Sequence, residues 1–99
     1  MGMLEDDITE GFRDQNKRIN AAMSDVRAEL EKAMAKFGPM KSGHEGYAVI
    51  LEELDELWDE IKINQKKRDL NRMRKEAIQV GAMAIRFIAE IVDAGRGRV

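Results

Sequence analysis

The sequence predicts an all-α protein, an antiparallel helical bundle of three helices that is completed by oligomerisation. Three observations carry this expectation. Apolar residues recur every three or four positions along most of the chain. Proline occurs once, at Pro39, so long stretches contain no helix breaker. Aromatic residues are only 5% of the chain, too sparse for a β-sandwich or barrel. The 99 residues suffice for one domain, residues 1–99, and a domain so small often gains stability by association.

The first helix is expected over residues 6–37. Ile8, Phe12, Ile19, Met23, Val26, Leu30, Met34 and Phe37 form one narrow apolar stripe. At 1.5 Å per residue such a helix is about 45 Å long, more than a compact chain of this size can cover. The stripe is therefore expected to pack partly on another copy. Gly38-Pro39 stops the helix.

After the loop MKSGHEG, a second helix is expected over residues 45–63, with Ser42 and Glu45 spaced as a capping box. Ile50, Leu54, Leu57, Trp58 and Ile61 share one side. Glu52, Asp55 and Asp59 point away and read as solvated. Glu53, Glu56 and Glu60 form a separate row bordering the apolar side. The polar run KINQKKRDLN breaks the pattern, and a third helix is expected over residues 69–92. From Ala77 to Val92 it is apolar nearly all round, the mark of a buried helix. Ala77, Gly81, Ala84 and Ile88 make a small-residue face suited to close approach. Residues 94–99 should fray as a flexible tail.

Charge and composition remove several classes of function. A net charge of −2 gives no reason to expect nucleic acid or an anionic membrane as partner. No apolar run approaches the length of a membrane span. There is no cysteine, hence no disulfide framework, thiolate zinc site or cysteine nucleophile. The acidic start, MGMLEDDITE, lacks the basic-then-apolar order of a signal peptide, and a cytoplasmic location is expected.

One constellation carries chemistry. Glu53-x-x-Glu56 is followed, after nineteen residues, by Glu76-x-x-Gln79. A spacing of three puts each pair on one helix face. Glu76 shares its face with Val80, Met83 and Phe87, where an unpaired carboxylate is costly. If the two helices are antiparallel neighbours the pairs converge, and carboxylates in one groove repel unless a cation neutralises them. Mg²⁺ suits such a site, because it prefers oxygen ligands and bridges to phosphates. The bland alternatives are a solvated charged helix face and a Glu76 paired with Lys or Arg.

EELDEL (Glu52 to Leu57) followed by KEAIQVGAMAIRFI (Lys75 to Ile88) resembles the all-α MazG-like nucleoside triphosphate pyrophosphohydrolases, whose signature is ExxE, a spacer, then ExxD. The resemblance covers residues 43–92. It implies a homodimer or homotetramer of helical bundles that hydrolyses a nucleoside triphosphate to the monophosphate and pyrophosphate with Mg²⁺, or with Mn²⁺. Matched by position, Glu53, Glu56 and Glu76 stand at the family's metal ligands and catalytic carboxylates. Gln79 stands where the family has Asp; it offers an amide oxygen but one negative charge fewer, and Glu60 is the candidate to replace it. The competing expectation is a non-catalytic helical oligomer that keeps the scaffold to bind a nucleotide or a protein.

Three further residues are candidates for contacting substrate. Arg72 and Lys75 lie within about one turn of Glu76 and could compensate phosphate charge, though basic runs are commonly solvated linkers. His44, in the loop before the second helix, is a candidate for base or phosphate contact; the commoner fate of a lone loop histidine is exposure. Trp58 could stack on a base, but its place beside Leu54 and Ile61 favours packing.

Overall fold

The computed structural model describes the backbone of residues 3–99 and the side chains of residues 9–99. The side chain of Ile8, the first member of the expected stripe, lies outside that range. Three α-helices follow one another: α1 (Met3–Lys36), α2 (Gly43–Ile61) and α3 (Leu70–Phe87). A short 3₁₀ turn, Gln65–Lys67, lies between α2 and α3, and α3 continues into a π-helical turn, Ile88–Val92. No strand occurs among the described residues, and none of their helices is long and apolar enough to cross a membrane.

Local chemistry fixes the helix ends. The Ser42 hydroxyl accepts from the Glu45 backbone N–H at 3.1 Å, and the Glu45 carboxylate accepts from the Lys41 N–H at 3.0 Å. This is a capping box displaced by one residue on its return arm. At the other end of α2, Arg68 Nε donates to the Ile61 carbonyl at 2.8 Å. Asp69 caps α3 by accepting from the N–H groups of Asn71 and Arg72.

The third helix is the centre of the molecule, packing on both α1 and α2. Gly46 lies against the Phe87 ring, while Glu56 lies against Glu76, so α2 and α3 run antiparallel. Any side chain at position 46 would meet that ring at 2.5 Å, so glycine permits the close crossing. The first and third helices run in the same direction: Arg74 pairs with Asp25 at 2.6 Å, and Arg86 Nη2 donates to the Gly38 carbonyl at 2.9 Å. Val26 fits against Gly81, which supplies a packing reason for that residue. Ala33, Met40, Ala82, Met83 and Ile91 form the buried core, flanked by Val26, Leu30, Val49, Ile50 and Phe87.

Three features depart from the sequence expectation. First, α2 is rotated. Its inward face is Gly46, Val49, Ile50, Glu53, Leu57, Glu60 and Ile61, so Glu53 and Glu60 lie within the packed face rather than at its rim. Leu54 and Trp58, expected beside Ile50 and Ile61, are 48% and 57% exposed. Second, the C-terminal part of α3 is not buried all round, because it has neighbours on only two sides; Ile88 is 53% exposed and Ile85 and Val92 are also exposed. Third, the tail makes hydrogen bonds to the body of the chain. Arg96 N–H bonds the Ile91 carbonyl and Gly95 N–H the Val92 carbonyl, a Schellman motif closed by Gly95 at φ 78°. Arg96 Nη1 then donates to the carbonyls of Met40 and Glu90, and Gly43 N–H donates to the Val99 carbonyl.

The first helix outruns the rest of the chain. Every residue from Thr9 to Ala21 is exposed, and Phe12, Ile19 and Met23 meet no covering element. The molecule spans 56 × 35 × 23 Å with a radius of gyration of 17.3 Å, against about 13 Å for a compact chain of this length.

Candidate functional site

Antiparallel packing of α2 and α3 brings Glu53, Glu56 and Glu76 together. One carboxylate oxygen from each lies within 4.8 Å of the others. Glu53 and Glu76 are half-buried and Glu56 is exposed, so the cluster forms a groove open on one side. An octahedral Mg²⁺ with ligands at about 2.1 Å needs oxygens roughly 3–4 Å apart, within reach of side-chain rotation.

The electrostatics show how unfavourable the cluster is by itself. Burial, then the charge of Glu56 and a hydrogen bond with it, then the charges of Glu76 and Glu52, push Glu53 up to about 7. Glu76 is also raised, by burial first and next by Glu56, with Lys75 pulling the other way and Glu60 adding to the rise. A hydrogen bond between two carboxyl groups requires a proton on one of them. Without a cation the cluster therefore binds protons more readily than separate carboxyl groups do, and a divalent cation is the other way to relieve the repulsion.

Glu60 lies one turn beyond Glu56. Its Oε1 is 3.8 Å from Arg72 Nε, with the carboxylate side chain only 17% exposed. Its Oε2 is buried without a hydrogen-bond partner, an unsatisfied acceptor beside the three converging carboxylates. Gln79 is half-buried and shares with Glu53 a cavity of about 450 Å³ between the C-terminal end of α1, the N-terminal half of α2 and the C-terminal half of α3. The donor set thus consists of oxygens of the kind that a hard divalent ion takes.

The expected substrate-contacting residues divide. Lys75 borders a second groove with Lys32 and Gln79 and acts electrostatically on Glu76. Arg72 is engaged with Glu60. His44 stands at the start of α2 beside Tyr47, Gly97 and Val99. It lies nine residues before Glu53, about 13 Å along the helix, and the structure does not bring it to the carboxylates. Trp58 lies on the outward face of α2, away from the cavity. The sequence reading missed Lys32, Lys36, Phe37 and Arg86, all of which line the cavity. The Lys32–Lys36 spacing of four was a visible signal, but only the α1–α3 register shows which wall it forms.

No protein-family model, curated protein or solved structure matches the chain.

Proposed function

We propose that the chain is a Mg²⁺-dependent nucleoside triphosphate pyrophosphohydrolase of the MazG-like kind, acting as a homo-oligomer. The observation that carries this reading is the convergence of Glu53, Glu56 and Glu76 from two antiparallel helices. Mg²⁺, or Mn²⁺ in its place, supplies neutralisation of phosphate charge and polarisation of the bond to be broken. Glu53, Glu56 and Glu76 would hold the ion, with Glu60 and Gln79 as further oxygen donors on the same two helices. In the reaction, water adds to the α-phosphorus and the α–β bridging P–O bond breaks. Pyrophosphate leaves, and a carboxylate of the cluster takes the proton of the attacking water. Lys75 lies where it can offset phosphate charge.

Self-association is supported by unsatisfied surface. The chain exposes 7848 Å², whereas a compact protein of 11.3 kDa exposes about 5,700 Å². The excess, roughly 2,000 Å², is more than the ~800 Å² that one partner buries in a standard interface. Tyr47, Leu51, Leu54 and Trp58 make an outward stripe on α2, and Phe12, Ile19 and Met23 another on α1. A homodimer or homotetramer covers such faces.

A panel of ribo- and deoxyribonucleoside triphosphates, assayed for pyrophosphate with and without Mg²⁺, tests the activity, with Glu56→Gln as the control. Gln79 favours a second reading, a scaffold that binds nucleotide without turnover, because it leaves the groove one charge short of the family pattern. Nucleotide binding with no pyrophosphate release, in the natural chain and in Gln79→Asp, would select that reading.

A further inference from the structure

Phe37 follows directly on the last residue of α1 and is 55% exposed. It stands at the mouth of the 450 Å³ cavity. The inner wall there is apolar and almost wholly buried, formed by Met40 and Met83 with Val49 beside them. Lys36 Nζ lies 5.2 Å from the centroid of the Phe37 ring, and Lys32, one turn earlier, lines the same cavity. Arg86 closes the inner end, fixed by Glu90 at 2.7 Å and by the Gly38 carbonyl. Glu53 and Gln79 mark the opposite end, toward the carboxylate cluster.

The cavity is therefore graded. One end is the more apolar, with an aromatic ring and two methionines beside Lys36, Glu45 and the paired Arg86. The other meets the groove that suits a metal and phosphates, and Lys32 lies on the wall between α1 and α3 that borders both the cavity and the Lys75 groove. Its volume falls in the ~300–1,000 Å³ range of small-molecule sites. A ligand with a flat apolar ring at one end and a polyanion at the other matches this gradient. Aromatic and thioether side chains suit the faces of a heterocycle, and a lysine suits phosphate as a point charge.

Resting on the reading of the carboxylate groove as a nucleotide site, we infer that the nucleobase stacks on Phe37 over the Met40–Met83 wall, and that Lys32 contacts the phosphate chain. Phe37 is then a binding residue with no part in the bond-breaking step. Trp58, the other aromatic with a claim to stacking, faces away from the cavity.

The test is calorimetric titration of the full-length chain in Mg²⁺ with two probes, α,β-methylene nucleoside triphosphates (adenine, guanine, cytosine and uracil forms) and inorganic tripolyphosphate. Base–aromatic stacking sets the expected effect. Phe37→Leu should weaken the tightest-binding nucleotide analogue about tenfold and leave tripolyphosphate within twofold. Phe37→Tyr should restore the wild-type value. Lys32→Gln should weaken both probes. If hydrolysis is measurable, Phe37→Leu should raise KM with little change in kcat. The inference is overturned if no analogue binds, if Phe37→Leu leaves analogue binding unchanged, or if it weakens both probes equally. The analogues cannot be cleaved, so the two readings fail separately. Phe37-dependent binding without pyrophosphate release from natural nucleotides refutes the hydrolase alone. Hydrolysis with binding indifferent to Phe37 refutes the stacking site alone.

Discussion

Each face of α2 breaks the usual order of an amphipathic helix at particular positions. Its inward face carries Glu53 and Glu60 among Val49, Ile50, Leu57 and Ile61. Its outward face carries Tyr47, Leu51, Leu54 and Trp58 at spacings of four, three and four. A helix concerned only with the stability of one chain would carry neither the inward carboxylates nor the outward aromatics, since buried carboxylates are costly and exposed aromatics gain nothing. The inward face accepts an electrostatic cost that a cation can relieve. The outward face leaves apolar area that a second chain can cover.

The outward face gives the largest expected effect. Leu54→Glu or Trp58→Glu should convert the proposed assembly to single chains, because a central interface anchor is worth about 2–4 kcal/mol. Both residues are exposed within one chain, so its helix content should persist. Sedimentation equilibrium at micromolar concentration is the measurement. A wild-type protein that runs as a single chain, or variants that associate as before, would remove the assembly argument.

The inward face is probed by Glu56→Gln. Removing one charge relieves the repulsion that raises Glu53 and Glu76, so the metal-free variant should melt at the wild-type temperature or above. Its response to Mg²⁺ should be largely lost. For wild type at a Mg²⁺ concentration ten times Kd, native-state binding contributes about 1.4 kcal/mol, roughly 5–10 °C in Tm for a chain of this size. An equal Mg²⁺ shift in both proteins would mean that the ion binds elsewhere.

How much of this contrast was legible in the sequence depends on which residue is asked. The three helices, the stop at Gly38-Pro39 and the cap at Ser42 follow from local chemistry. The Glu53–Glu56–Glu76 juxtaposition followed from spacing together with an antiparallel pairing. The rotation of α2 did not, because two stripes compete on that helix. Leu54 and Trp58 are more apolar than the face that packs, and hydrophobicity alone chose the wrong one. Gly46, which permits the approach to Phe87, was the residue that could have decided it. The hydrogen bonds of the C-terminal tail were not legible for a similar reason: Gly95 closes a Schellman motif, and a short Gly-rich run looks the same whether its carbonyl partners are present or not. The cavity was invisible because its walls come from three helices whose relative register no single segment encodes.

A smaller effect separates the faces by pH. Glu53 is raised from 4.5 to about 7, so between those values the native chain binds more protons than the unfolded one. The contribution is fully present below pH 4.5 and is lost as pH rises through about 7; Glu76 acts in the same direction. After allowance for solvent screening it amounts to about 1 kcal/mol. Metal-free melts from pH 5 to 8 should show the loss in wild type and less of it in Glu53→Gln. Stabilisation by Mg²⁺ should have the opposite trend, growing toward pH 8 as protons cease to compete. A Mg²⁺ shift that does not depend on pH would place the ion away from Glu53.

The smallest effect turns on Gln79. It sits one turn from Glu76 on the side facing the cavity and Glu53, so a carboxylate there adds charge at the edge of the cluster. Water in an open groove screens most of that charge, which limits Gln79→Asp to about a fivefold gain in Mg²⁺ affinity, just under 1 kcal/mol. The new carboxylate also adds repulsion to a cluster that already binds protons more readily than separate carboxyl groups do, so the metal-free protein should melt slightly lower. The two shifts therefore have opposite signs, and only a residue facing the groove produces both. Titration calorimetry with Mg²⁺, beside metal-free melts, measures them. If affinity is unchanged while the melt moves, Glu60 has already filled the fourth position. Glu60→Gln should then weaken Mg²⁺ in the natural chain, and Gln79→Asp should recover the loss. If neither variant moves the affinity, the ion is held by Glu53, Glu56 and Glu76 alone, and the departure at position 79 belongs to the cavity and its ligand.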